Sequence, residues 1–281
     1  LILLIGLGVL VGLTQKNESR QKEEQRKKQT EAVTELLTAA ETESEQAQTG
    51  KTQTELESET AVKGETESES GQDLLVTKET ETESETEPES EQLVVAIDPG
   101  HQGNWVDMSE KEPNGPGSSE MKAKATTGTQ GSFSGKAEYE LNLEISLLLR
   151  DELEKRGYRV ILTREDNDTA ISNAERAQMA YEEGGDIYVR IHANGSDDAG
   201  VQGALAMVPS SNNPYIPELA EDSYTLAECI LSAYCEKASF TSLGIQYYDN
   251  MAGINWGKLP VMSLEMGFMS NQSGDLRMSD D

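Results

Sequence analysis

From residue 93 onward, apolar positions recur with the periods of strands and helices; before it they do not. Leu93-Val-Val-Ala-Ile97 is an apolar run of strand length, ended by Asp98-Pro-Gly100, and it predicts a buried central strand. Leu141, Ile145, Leu148, Leu149 and Leu153 line one face of a predicted helix over residues 138–156, with Gly157 as its stop. The same reading predicts strands over 158–163, 186–191, 203–208 and 259–266, and helices over 171–183 and 217–237. Strands alternating with helices predict an α/β fold: a mainly parallel, twisted sheet with helices on both faces. Active sites in such sheets lie beyond the carboxyl ends of the strands.

The first 92 residues follow other rules. Leu1 to Leu13 is an uncharged, mostly apolar run, shorter than the roughly 20 residues a membrane-spanning helix needs. It predicts a truncated signal peptide or membrane anchor over residues 1–14. A retained anchor is the preferred form, because a charged run from Lys16 to Lys28 follows in place of a small-residue cleavage site. Residues 15–92 read as a charged, Glu/Thr/Ser-rich linker, as in Glu79-Thr-Glu-Thr-Glu-Ser-Glu-Thr-Glu87. The period of two there mimics a strand, but no apolar face exists to bury, so the segment is expected to stay disordered and extended as an acidic stalk.

Charge and cysteine usage narrow the partners. The net charge is -29, with 22 acidic and 9 basic residues in the first 92. Such acidity excludes nucleic acid as a partner, because its phosphates would be repelled. Cys229 and Cys235 lie six apart in a predicted helix, where their side chains diverge, so no bridge between them is expected. The remaining 189 residues suffice for one real core, and residues 93–281 are expected to form one catalytic domain.

The chemistry concentrates at few positions. The whole chain has two histidines, His101 and His192, each just past the end of a predicted central strand. Paired at one sheet edge, they point to a shared metal, since neutral imidazole is a good zinc donor. Glu138 opens the long helix on its buried side, where a carboxylate without a partner is costly, and it completes a three-ligand set. Glu265 stands inside the apolar run Val261-Met-Ser-Leu-Glu265, where a charged residue survives only if paired or functional. Three ligands with one position left open, plus a separate carboxylate to take a proton from water, constitute a hydrolytic zinc site. Residues 102–135, rich in glycine and carrying Pro113 and Pro116, form a long loop that borders this edge.

Four segments in order resemble the zinc-dependent N-acetylmuramoyl-L-alanine amidases of the Amidase_3 type. They are Val94-Val-Ala-Ile-Asp-Pro-Gly-His101, Glu138-Tyr-Glu-Leu-Asn-Leu143, Arg190-Ile-His-Ala-Asn194 and Leu264-Glu-Met-Gly-Phe-Met-Ser-Asn271. The resemblance implies one Zn2+ held by His101, Glu138 and His192, with Glu265 as the catalytic residue. It also implies peptidoglycan as substrate, at the amide between the lactyl group of N-acetylmuramic acid and L-alanine. The expected location is extracytoplasmic and wall-associated, with the membrane reached through the N-terminal apolar segment. Gln102, Arg190 and the length of the 102–135 loop depart from the family pattern and bear on substrate fit. The family normally adds a closing helix soon after the last motif, and the chain, which stops at Asp281, is expected to be truncated there. Asn194 and Asn271 either orient ligands or cap their loops, and Trp105 and Trp256 either wall the site or pack beneath it. Arg164 and Arg176 read as structural ion-pair partners. Two other readings stay open: another wall-directed zinc peptidase or deacetylase, for which Arg190 would receive a terminal carboxylate, and an inactive peptidoglycan-binding module.

Overall fold

A computed structural model describes residues 92–280. The expected anchor and all but the last residue of the acidic stalk lie outside the described residues. Among the described residues, no helix is long and apolar enough to cross a membrane.

The strands are β1 (Val94–Pro99), β2 (Lys111–Pro113), β3 (Met121–Ala123), β4 (Arg159–Leu162), β5 (Ile187–Asn194), β6 (Ala204–Val208), β7 (Ser242–Tyr247) and β8 (Val261–Phe268). The helices are α1 (Glu138–Glu154), α2 (Asn173–Glu182), α3 (Ala220–Ala238), α4 (Ala252–Asn255) and α5 (Gln272–Ser279). Six strands share one sheet in the order β4-β1-β5-β8-β6-β7, and β2 and β3 form a separate antiparallel pair. Strands β4, β1, β5 and β8 run parallel. β6 pairs antiparallel with β8, and β7 runs parallel to β6. The expected mainly parallel sheet is therefore present, with two reversed strands at one side.

Alternation along the buried strands sorts side chains between two cores. Val95, Ile97, Val189, Ile191 and Leu264 face α1 and α3, where Leu141, Leu149, Leu153, Leu226 and Ile230 close the layer. Val94, Ala96, Tyr188 and Val261 face the other way, against Ala177 and Ala180 of α2 and Ile254 of α4. Helices thus cover both faces. Leu149 and Leu153 are fully buried, and truncating either to alanine would cost about 2–5 kcal/mol. Helix α2 begins at a reciprocal capping box: Ser172 accepts from Glu175 N, and Glu175 accepts from Ser172 N.

The structure also adds what the periodicity had missed. The 102–135 segment contains the β2–β3 hairpin, and it is tied down along β2 and just past β3. Trp256 Nε1 donates to the Pro113 carbonyl at 2.8 Å, Asn255 Nδ2 to the Asn114 carbonyl at 3.0 Å, and Asn173 N to the Lys124 carbonyl at 2.7 Å. Ala174 N donates to the buried Glu112 carboxylate at 3.1 Å. A helix does follow Asn271: α5, capped by the Asn271 side chain, which accepts from Gly274 N. Neither cysteine takes part in a disulfide, as expected, and burial pushes both thiols up from their ordinary pKa.

Candidate metal centre

The site lies at the carboxyl ends of β1 and β5, on the side of the sheet that faces α2 and α4. His192 continues the alternation of Tyr188 and Arg190 on β5. His101 follows β1 in the left-handed region, with φ 65°, a conformation costing a non-glycine residue about 1–2 kcal/mol. Glu138 is the first residue of α1 and is buried.

Three atoms converge. His101 Nε2 lies 3.0 Å from Glu138 Oε1, His192 Nδ1 lies 3.2 Å from the same oxygen, and the two nitrogens are 3.1 Å apart. The ligand atoms of a tetrahedral zinc with bonds of about 2.0–2.1 Å sit roughly 3.3–3.4 Å from one another. Two imidazoles and one carboxylate are also the donor types zinc takes. The arrangement therefore fits one cation with a remaining position open.

Outer hydrogen bonds fix two of the three donors, His101 and Glu138, while the second ring nitrogen of His192 is buried without a partner. His101 Nδ1 faces the Thr126 carbonyl at 2.8 Å, and a proton on that nitrogen leaves Nε2 to serve as the metal donor. Glu138 Oε2 accepts from Thr129 N at 2.8 Å, and Oε1 accepts from Ala193 N at 3.1 Å. Gly100 leaves room for the His192 ring, since a Cβ there would lie 2.2 Å from its Cε1. Burial moves the His192 imidazole down to about 4, opposed by Glu138, so the ring is neutral, the form that binds metal. Burial alone would raise Glu138, but its contacts with His101 and His192 hold it well below the usual carboxylate range.

Glu265 sits on β8 in register with His192, so the two side chains leave the same face of adjacent parallel strands. Burial, and then the charge of Glu138, push its carboxyl up to about 8, with Arg190 opposing. All four residues singled out in the sequence therefore meet at one place.

Beneath them lies a charge cluster. Asp98 is fully buried and accepts from Arg176 Nη1 at 2.8 Å, from Arg190 Nε at 2.9 Å and from the Thr163 hydroxyl. Arg176 was expected as a structural ion-pair partner, and it is one. Arg164 is not: its guanidinium donates to neutral oxygens, among them the carbonyls of Pro99, Gly100 and Tyr139. Burial lowers its pKa to about 10, which still leaves a cation at neutral pH. Arg190 is engaged by Asp98 and by Asn173 Oδ1 at 2.8 Å, rather than held ready for a substrate carboxylate. Asn271 caps α5 through Oδ1 and donates Nδ2 to the Ala199 carbonyl at 2.8 Å, and Asn194 Oδ1 accepts from Gly195 N, so neither is bonded to the three donors. Trp105 is largely exposed, with its ring edge-on to Tyr139 and Nε1 donating to Asp168. Trp256 packs against the Ile254 and Val261 core. The charge cluster could have been sought in the sequence through Asp98 and Arg190, charged residues inside apolar strands. The Thr126 and Thr129 backbone contacts carry no sequence signal.

Known proteins share this fold. The amidase Ami1 from Mycobacterium smegmatis superimposes with a TM-score of 0.59 at 22% identity, over 67% of this chain and 88% of that one. The apo form of Ami1 from Mycobacterium abscessus gives 0.56 at 24% identity, over 67% and 89%. An N-acetylmuramoyl-L-alanine amidase from Clostridium difficile 630 gives 0.52 at 25% identity, over 68% and 88%. No curated protein matches in sequence. Residues 95–281 match Amidase_3, described as N-acetylmuramoyl-L-alanine amidase, and the chain belongs to that family.

Proposed function

We propose that the domain hydrolyses the amide between the lactyl group of N-acetylmuramic acid and L-alanine in peptidoglycan, with one zinc ion held by His101, Glu138 and His192. The observation that carries this reading is the meeting of those three donor atoms within 3.0–3.2 Å beside Glu265. A zinc ion there supplies Lewis-acid polarisation of the scissile carbonyl and a lowered pKa for water. A cation bound beside it would favour the ionised form that burial and Glu138 disfavour, and the Glu265 carboxylate would then accept the proton of the attacking water and return one to the leaving L-alanine amine. Its strand fixes it on the same face as His192, so proton acceptor and donor set are positioned by one pair of backbones. Ala193 N and Thr129 N hold the Glu138 carboxylate, so it stays a ligand and does not compete for that proton.

The engagement of Arg190 by Asp98 and Asn173 removes the feature that favoured a carboxypeptidase. A catalytically inert wall binder is disfavoured by retention of all four polar groups. The apolar run 1–14 and the acidic segment 15–92 support a location outside the cytoplasm, with the domain held from a membrane on a charged spacer. Intact glycan-peptide should yield free peptide with a new L-alanine amine, and Glu265→Ala should keep zinc while losing at least about a hundredfold in rate. Unchanged turnover would remove Glu265 from the chemistry.

A further inference from the structure

A cavity of about 280 Å³ opens beside the metal centre, with His101 and His192 in its lining. Lys122 and Thr126, from the β2–β3 hairpin and the loop after it, line it too, together with Asn250 and Met251. The hairpin's backbone is anchored at Pro113, Asn114 and Lys124, so its Lys122 is held at a defined place.

The charge around this cavity is opposite to that of the chain. Asp98 is one negative charge shared by Arg176 and Arg190, and Arg164 beside it bonds only neutral oxygens. The buried cluster therefore carries two positive charges in excess. Glu138 offsets one of these, and a bound divalent cation would add two more. Lys122 adds a cation that is not locked in the interior. Its partner is Glu120 at 2.8 Å, whose side chain is 53% exposed. An exposed pair of this kind is worth about 0–1 kcal/mol, so a ligand anion competes with it readily.

We infer that Lys122 forms a specificity subsite for a carboxylate of the substrate's peptide, the first one beyond the L-alanine whose amide is cleaved. This rests on the amidase reading above. Apolar Met251 and the positive floor favour an extended peptide carrying its negative charge toward the hairpin. Lys122 grips ground state and transition state alike, so its contribution appears in KM. It is a positioning residue and takes no proton.

The test uses two soluble N-acetylmuramoyl peptides that differ only in having a carboxylate or a carboxamide at the second peptide residue. The zinc-loaded wild type should prefer the carboxylate form, and Lys122→Ala should lower kcat/KM for it roughly tenfold, mainly through KM. On the carboxamide form the same substitution should change less than about twofold, and Lys122→Arg should keep most of the preference. The preference should also shrink as ionic strength rises, because Lys122 is only partly covered. Equal effects of Lys122→Ala on both substrates, or none on either, would overturn the subsite and leave the amidase reading standing. A wild type that cleaves neither substrate would overturn both.

Discussion

The guanidinium of Arg176 donates to Asp98 Oδ1 at 2.8 Å and to the carbonyl oxygen of His101 at 2.9 Å, so one buried cation joins the carboxylate of β1 to the backbone of a metal-facing histidine. It also reaches the Pro99 carbonyl and Gln102 Oε1, which bracket His101 in sequence. The left-handed φ of His101 is held by these bonds, and strain of this kind persists only where the surroundings over-determine it.

Removing the shared negative charge should therefore be costly. Asp98→Asn leaves Arg176 and Arg190 buried without a counter-charge, and breaking such a pair costs about 3–5 kcal/mol. Urea midpoints of the two proteins at neutral pH measure the difference.

Acid should act on the same group. Burial alone would raise the Asp98 pKa, but Arg176, Arg190 and the Thr163 hydroxyl overcome it and hold the carboxyl far below the usual range. An unfolded aspartate titrates near 3.9. The unfolded chain therefore binds the proton first, and the stability Asp98 contributes is complete above about pH 5 and drains away as pH falls below about 4. Between pH 6 and pH 3, wild type should lose more stability than Asp98→Asn, as read from denaturant midpoints in the same buffers.

Gly128 separates site effects from backbone effects. It has φ +76°, and a Cβ there would lie 2.5 Å from Glu138 Oε2 and 2.7 Å from His101 Cδ2. Gly117 has the same φ, with nothing within 4 Å of a Cβ. Both alanine variants should pay about 1 kcal/mol for the backbone. Gly128→Ala should in addition weaken zinc binding at least about tenfold in a chelator competition, while Gly117→Ala leaves it unchanged.

What the sequence revealed divides along physical lines. Buried strands and α1, α2 and α3 were legible because one-sided burial imposes periodicity. β7 was not: it is an edge strand carrying Gly244, and most of its residues are exposed, so no apolar alternation marks it. Strand direction leaves no trace in periodicity, which is why the reversal of β6 and β7 appears only in the pairing. The site was legible because polar residues such as His192 and Glu265 stand out against apolar neighbours. Arg164 departs from the expected ion pair because its partners are neutral oxygens, all but Asn167 Oδ1 from the backbone, which sequence does not display. Helix α5 went unread because it is short and is tied down by buried Asp275, accepting from Phe133 N and Ser134 N of the loop ahead of Glu138, with Met278 as its one residue in the main core. Lys122 reaches the cavity only through the folding of the long loop.

The central claim is that His101, Glu138 and His192 share one zinc ion, and metal stoichiometry of the purified full chain tests it most directly. The wild type should hold one zinc per chain, and so should Glu265→Ala. His192→Ala should fold, yet bind zinc at least about a hundredfold more weakly. A folded wild type that takes up no zinc, or a His192→Ala protein with wild-type affinity, would contradict the account.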